Sequence, residues 1–284
     1  MTAMSDPGIH IFNHSAMATQ FQVRIAGEEK TYAAQVAQTA FALIDNLESK
    51  LSRFQENSEI SHIATLAVGE QLRLTEPVFA CLNTAQKMEA ATGGAFSITA
   101  AALKKQSEQP LWALLPAEFS IRCERGQLEF DLGAIGKGFA LDRVAQLMEE
   151  WSCPAYLLVA GGSSILAGEP PPGKTGWNCG LGTGEKEKRY LLKNESMSSS
   201  GIAAQGRHIL DPRNGQPATT RDNTWAMTDS ATESDALSTA AMVLSEAEIA
   251  GVVARNPAWL VFLRGEKDEK NWRQLGQRPM PPVA

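Results

Sequence analysis

Cysteine is scarce in this 284-residue chain, and the four present, Cys81, Cys123, Cys153 and Cys179, stand far apart with no Cys-x-x-Cys pair. That spacing excludes a disulfide framework and a thiolate zinc site, and leaves reduced, mostly buried thiols as the expectation. Long apolar runs are missing too: nothing approaches the roughly 20 consecutive apolar residues of a membrane span. The opening stretch MTAMSDPGIHIFNHSAMATQ has neither the basic region nor the apolar core of a signal peptide. The expectation is a cytoplasmic protein with no membrane-spanning segment. Positive charge is short, with 26 Lys and Arg against 32 Asp and Glu, a formal net charge of −6. A nucleic-acid groove needs a concentrated basic face, so no nucleic-acid partner is expected. Two common nucleotide patterns are also absent. A Walker-type loop needs Gly-Lys followed by Ser or Thr, whereas Gly136-Lys137 is followed by Gly138, and the Gly-x-Gly-x-x-Gly fingerprint is not matched in that turn.

What the chain does contain is ordinary for a soluble fold, with 43% hydrophobic and 20% charged residues. Its most informative stretch is DLGAIGKGFALD, Asp131 to Asp142. Leu128 to Phe130 alternates like a strand end, and Gly133, Gly136 and Gly138 permit tight backbone geometry. Ala140, Val144, Leu147, Met148 and Trp151 then recur at helical spacing. Lys137 thus falls near a helix start, where free N–H groups and the helix dipole favour an anion such as phosphate.

Phe21 to Ile25 and Ala155 to Val159 read as strands. Tyr32 to Phe54 and Pro77 to Ala91 read as helices, the second ending at Thr92-Gly93-Gly94. Lys104 to Gly126 is polar and interrupted by Pro110 and Pro116, which predicts a surface connection. Two further constellations carry chemistry. His208 stands just before the turn Asp211-Pro212-Arg213-Asn214-Gly215, as a general base or as a structural histidine. In SDALSTAAMVL, Ser234 to Leu244, Asp235 and Thr239 share a helix face. A carboxylate and a hydroxyl there suit a hard cation, and the same carboxylate equally suits the positive end of the helix.

Taken in order, these pieces resemble the ApbE family of flavin transferases, which move FMN from FAD onto a threonine of a target protein. The resemblance runs through Met17-Ala18-Thr19, SRFQENSEIS, ATGGAFSIT, DLGAIGKGFALD, Gly161-Gly162, HILDPRNG and SDALSTA, from Met17 to Leu263. It implies an α+β fold with mixed sheets, packed helices and a flavin site between two lobes. A single domain over residues 17–275 is expected, after a flexible segment 1–16 and before a flexible tail 276–284.

Carried over by position, the resemblance implies that FAD is the substrate and magnesium the metal. Asp131, Lys137, Met17, Ala95, Phe96, Ser97, Ile209 and Ser238 are its flavin-site positions. The Ala134 carbonyl, Asp235 and Thr239 are its metal ligands, and His208 is its catalytic histidine. The partner it implies is an acceptor protein carrying the threonine. The chain departs from the family at Ala18 in place of glycine, Ser97 in place of aspartate, and Ala160 in place of an asparagine. FAD hydrolysis to FMN and AMP, or FAD binding without turnover, are the alternative readings.

Overall fold

The strands of the main sheet read two ways at once, and that double reading sets the layers. On β2 (Thr19–Ala26), Phe21, Val23 and Ile25 enter one core, while Ala26 joins another. On β12 (Leu260–Arg264), Val261 and Leu263 face the first core and Leu260 and Phe262 the second. A strand alternates its side chains across the sheet, so apolar residues at consecutive positions require cover on both faces.

The computed structural model describes residues 8–99, 110–182, 188–201, 209–218, 221–264 and 272–277. Its eight-stranded sheet has the order β1 (Ile9–Ala16), β2, β6 (Tyr156–Ala160), β7 (Ser164–Ala167), β10 (Glu195–Gly201), β11 (Asn223–Thr228), β12 and β13 (Arg273–Leu275). Each of these neighbouring pairs is antiparallel. A smaller sheet has β5 (Ser120–Cys123) between β3 (Gln71–Arg73) and β4 (Trp112–Leu115). The hairpin of β8 (Trp177–Leu181) and β9 (Lys188–Leu192) supplies Trp177, Cys179, Leu181 and Leu192 to the second core.

Six α-helices lie among the described residues: α1 (Lys30–Leu51), α2 (Glu59–Ile63), α3 (Glu76–Ala91), α4 (Gly136–Glu150), α5 (Ala231–Val243) and α6 (Glu246–Arg255). None is long and apolar enough to cross a membrane. In α1 the residues Ala33, Val36, Ala37, Ala40, Ile44, Leu47 and Leu51 make a single buried stripe, as the periodicity requires. Helix α5 differs, because it is buried on nearly every side and packs against α4, β10 and β11. It is the central helix of the fold.

Several expectations need correction. Residues 9–16, expected as part of a flexible lead-in, form β1 in full register with β2. The expected surface connection from Lys104 to Gly126 contains β4 and β5, with Trp112, Ile121 and Cys123 buried. Pro110 and Pro116 flank β4 instead of breaking it, so each occupies a place where no ladder N–H is needed. Leu128 to Phe130 is not a strand; among the described residues its ladder pairing is the isolated bridge of Phe130 with Thr99. Helix α1 stops at Leu51, leaving Phe54 beyond it 83% exposed.

Two backbone positions carry unusual constraints. Met17 and Ala18 join β1 to β2 in a two-residue turn, both left-handed, with φ of 50° and 54°. Such turns favour glycine because a Cβ is crowded there. Replacing Ala18 by glycine should raise stability by about 1 kcal/mol, read as an upward shift in the thermal midpoint. Gly138 is the opposite case, since a Cβ there would lie 2.0 Å from the Ala231 carbonyl oxygen. Gly138→Ala should cost roughly 3 kcal/mol or more, and a melt matching that of the unmodified protein would refute this close packing.

Candidate active site

The absence of a side chain at Gly138 lets α4 and α5 touch by their backbones, and each helix then reaches the other with a carboxylate. From α4, Asp142 accepts hydrogen bonds from Ser230 Oγ at 2.6 Å, Ala231 N at 2.7 Å, Thr232 N at 2.9 Å and Thr232 Oγ1 at 2.5 Å. Those backbone groups open α5, where N–H groups lack helical partners and a negative charge is favoured. Burial raises the Asp142 pKa, and the bonds from Ser230, Thr232 and Ala231 oppose that rise. From α5, Asp235 returns the contact: its Oδ2 accepts from Gly138 N at 2.8 Å, and its Oδ1 accepts from Ser164 Oγ at 2.5 Å.

That return contact changes the backbone accounting at the head of α4. Gly138 is the third residue of α4, which is capped at Ile135, so its N–H is one of those that a helix start leaves without a helical partner. Asp235 takes that N–H, so a carboxylate from α5 sits on the opening turn of α4. Further along α5, Thr239 Oγ1 donates to the Asp235 carbonyl at 3.2 Å and lies 3.0 Å from Ser200 Oγ. Ser200 Oγ is also 3.0 Å from Ser238 Oγ. A carbonyl, a carboxylate and a hydroxyl are all hard oxygen donors, the set that magnesium accepts while keeping places for water or phosphate. Among the described residues no group of three His, Cys, Asp or Glu side chains could hold a metal. An ion at this crossing would therefore rest on one carboxylate plus neutral oxygens.

Asp131 stands at the outer lip of the same crossing. Its Oδ1 accepts from Gly133 N at 2.9 Å, its Oδ2 lies 3.3 Å from Arg53, and its own N–H donates to Ile98 O at 2.8 Å. Lys137 is held back toward the turn, with Nζ donating to Gly133 O at 3.2 Å. On the sheet side, Gly161 packs so closely on Thr19 that a Cβ would fall 2.4 Å from its Oγ1. This brings the Met17 turn beside Gly161-Gly162, above an open cleft of about 720 Å³ lined by Met17, Thr19, Gln20, Glu48 and Gly161.

Comparison with known proteins decides the family. The sequence model of the ApbE family matches residues 17–262. The chain belongs to the ApbE family. A Salmonella typhimurium relative named FAD:protein FMN transferase is 22% identical over 312 residues, covering 93% of this chain and 87% of its own. A Treponema pallidum protein of the same name is 29% identical over 149 residues, covering 45% and 41%. Among solved structures, the apo Pseudomonas stutzeri flavinyl transferase ApbE superposes with a TM-score of 0.78 at 20% identity, covering 98% of this chain and 97% of that one. The Vibrio cholerae flavin transferase ApbE does so at 0.78 and 16%, covering 95% and 97%. These likenesses establish an α+β, ApbE-like fold.

Asp235 bonds the head of α4 through Gly138, while Ser238 and Thr239 on the same helix both reach Ser200 on β10; Asp131 and Lys137 are both tied to Gly133, and Ser97 precedes Ile98, whose carbonyl takes the Asp131 N–H. Ala95 and Phe96 are 2% and 1% exposed and belong to the first core. Ile209 sits apart on its own loop, where its carbonyl accepts from Ala218 N at 2.8 Å. His208 lies outside the described residues. Reading the sequence did not find Ser164, Arg53 or the role of Asp142. Asp142 closes the glycine-rich motif, but its partners lie about 90 positions on.

The ApbE loop after His208 is fixed by a three-way ion pair. Arg213 donates to both Asp211 oxygens and, at 2.6 Å, to Glu248 on α6. The hydrogen bonds from Arg213 hold the Asp211 pKa below its ordinary 3.8. A depressed carboxylate pKa stabilises above the ordinary value and loses that contribution as pH falls through the lower folded value. Arg213→Ala should therefore cost about 1 kcal/mol at neutral pH. Thermal melts should show that cost shrinking as the pH falls below 3.8, and a pH-independent cost would contradict the pairing.

Proposed function

We propose that this chain is a magnesium-dependent FAD:protein FMN transferase, which attaches FMN from FAD to a threonine of a partner protein and releases AMP. It is an enzyme of the transferase class, as its family and the names of its relatives support. The observation that carries the reading is the hydrogen bond from Gly138 N–H to Asp235, which sets a carboxylate of α5, with the Thr239 hydroxyl one turn on, against the glycine-rich head of α4.

Ala134, Asp235 and Thr239 would hold the magnesium ion. When bound, the ion neutralises charge on the phosphate oxygens as the pyrophosphate bond breaks. The protein's residues do the rest. Lys137, tethered among the described residues through Gly133 O, has the charge and length to turn toward a phosphate at the head of α4. Asp131 is fixed by Gly133 N and Arg53 and presents a carboxylate at the outer lip. Ser164 and Gly138 hold both oxygens of Asp235 in place, so little reorganisation is needed when charge develops. In the transfer, the threonine oxygen forms a bond to the FMN phosphorus and the bond from that phosphorus to the bridging oxygen breaks. AMP departs with that oxygen, and the hydroxyl proton passes to a base, for which we propose His208.

The test is incubation with FAD, magnesium and an acceptor domain containing a threonine, followed by intact-mass analysis and an AMP assay. The expected product is an acceptor heavier by one FMN, with AMP formed in equal amount. Asp235→Asn should lower transfer by about 100-fold, with partial recovery at raised magnesium, and His208→Ala should lower it at every magnesium concentration. AMP without a labelled acceptor would replace transfer by hydrolysis, and bound, unchanged FAD would remove catalysis from the reading.

A further inference from the structure

The lip of the site is braced from helix α3. Ser97 Oγ lies 3.0 Å from Glu89 Oε2 on α3 and 3.0 Å from Thr99 Oγ1, and it accepts from Thr99 N at 3.2 Å. A serine hydroxyl has one proton and two lone pairs, and a carboxylate can only accept. The Ser97 proton must therefore go to Glu89. Both Ser97 lone pairs are then filled by Thr99, one by its N–H and the other by its O–H. Glu89 thus fixes the direction of every hydrogen bond in the group. Thr99 forms the bridge to Phe130, and the Ile98 carbonyl accepts the N–H of Asp131 at 2.8 Å. The line of contact runs from α3 through a serine to the acidic residue at the head of α4.

We propose that Glu89 is a positioning residue for FAD, holding Ser97–Thr99 in the conformation that sets Asp131 at the lip. The assignment rests on the FAD reading of this site given above. Its route to the lip is the hydrogen bond from Ser97. An aspartate at position 97 would accept the two Thr99 bonds by itself and make the brace from Glu89 to position 97 unnecessary. The same aspartate beside an intact Glu89 would set two carboxylates against one another, which disfavours both charged forms.

That reversal of sign is the test. FAD affinity is measured by flavin fluorescence, and KM and kcat by AMP release, for Glu89→Ala, Ser97→Asp and the double variant. Glu89→Ala should weaken FAD binding and raise KM about tenfold, the effect of losing one charge-assisted hydrogen bond, with kcat little changed. Ser97→Asp should be harmful alone at neutral pH and restorative in the Glu89→Ala background, returning affinity to within about threefold of the starting protein. If Glu89→Ala does not fold, as judged by circular dichroism, Glu89→Gln replaces it. The amide oxygen still accepts from Ser97, so the expected loss is smaller, about threefold.

Unchanged KM in Glu89→Ala, or no recovery in the double variant, overturns the assignment while leaving FAD transfer standing. An unmodified protein that binds no FAD overturns both.

Discussion

Helices α4 and α5 exchange carboxylates, and nearly everything at the site depends on how closely that exchange brings them. Asp142 satisfies the opening turn of α5 while Asp235 takes an N–H from the opening turn of α4. Neither contact is possible unless the backbones touch, and only glycine at 138 allows that. Burying two carboxylates is costly unless hydrogen bonds replace the water they lose. Asp142 receives four bonds and Asp235 two, which explains how both are accommodated.

The same logic extends into the sheet. The face of β10 toward α5 is made of hydroxyls, with Ser196 and Ser198 both reaching Ser234 and Ser200 reaching Ser238 and Thr239. Thr224 on β11 donates to the Ser238 carbonyl at 2.6 Å. A helix packed on a sheet through serines is an unusual use of core space, because each hydroxyl must be matched. Among the described residues no buried side-chain nitrogen or oxygen lacks a partner. The polar seam leads directly to Asp235 and Thr239, so the oxygen-rich site is the open end of an oxygen-rich interior.

Much of this was legible from residue patterns, and the rest was hidden for identifiable reasons. The stripe Val36, Ala40, Ile44, Leu47 marked α1, and the apolar run Ala155 to Val159 marked β6, because local periodicity reports local structure. Strand β4 was concealed by its bracketing prolines, and β1 by its polar alternation on a sheet edge. At the site, the glycine-rich motif and the Asp235-Thr239 pair were visible as types and spacings. Ser164 was not, since its only signal is a hydrogen bond to a residue 71 positions away. Sequence order cannot display a contact between elements that the fold alone brings together.

Helix α5 is held at its far end as well. Buried Arg221 donates through Nη1 to the carbonyls of Ala241 at 2.8 Å and Leu244 at 2.5 Å, placing a cation where the helix dipole is negative. With Asp142 at one end and Arg221 at the other, α5 can neither slide along its axis nor rotate without uncovering a charge. The oxygens it presents therefore keep a fixed spacing whether or not anything is bound to them. The ordering entropy of that half of the site is spent during folding. Any adjustment of shape around that half of the site then has to come from the segments that surround α5, since the helix itself is locked at both ends.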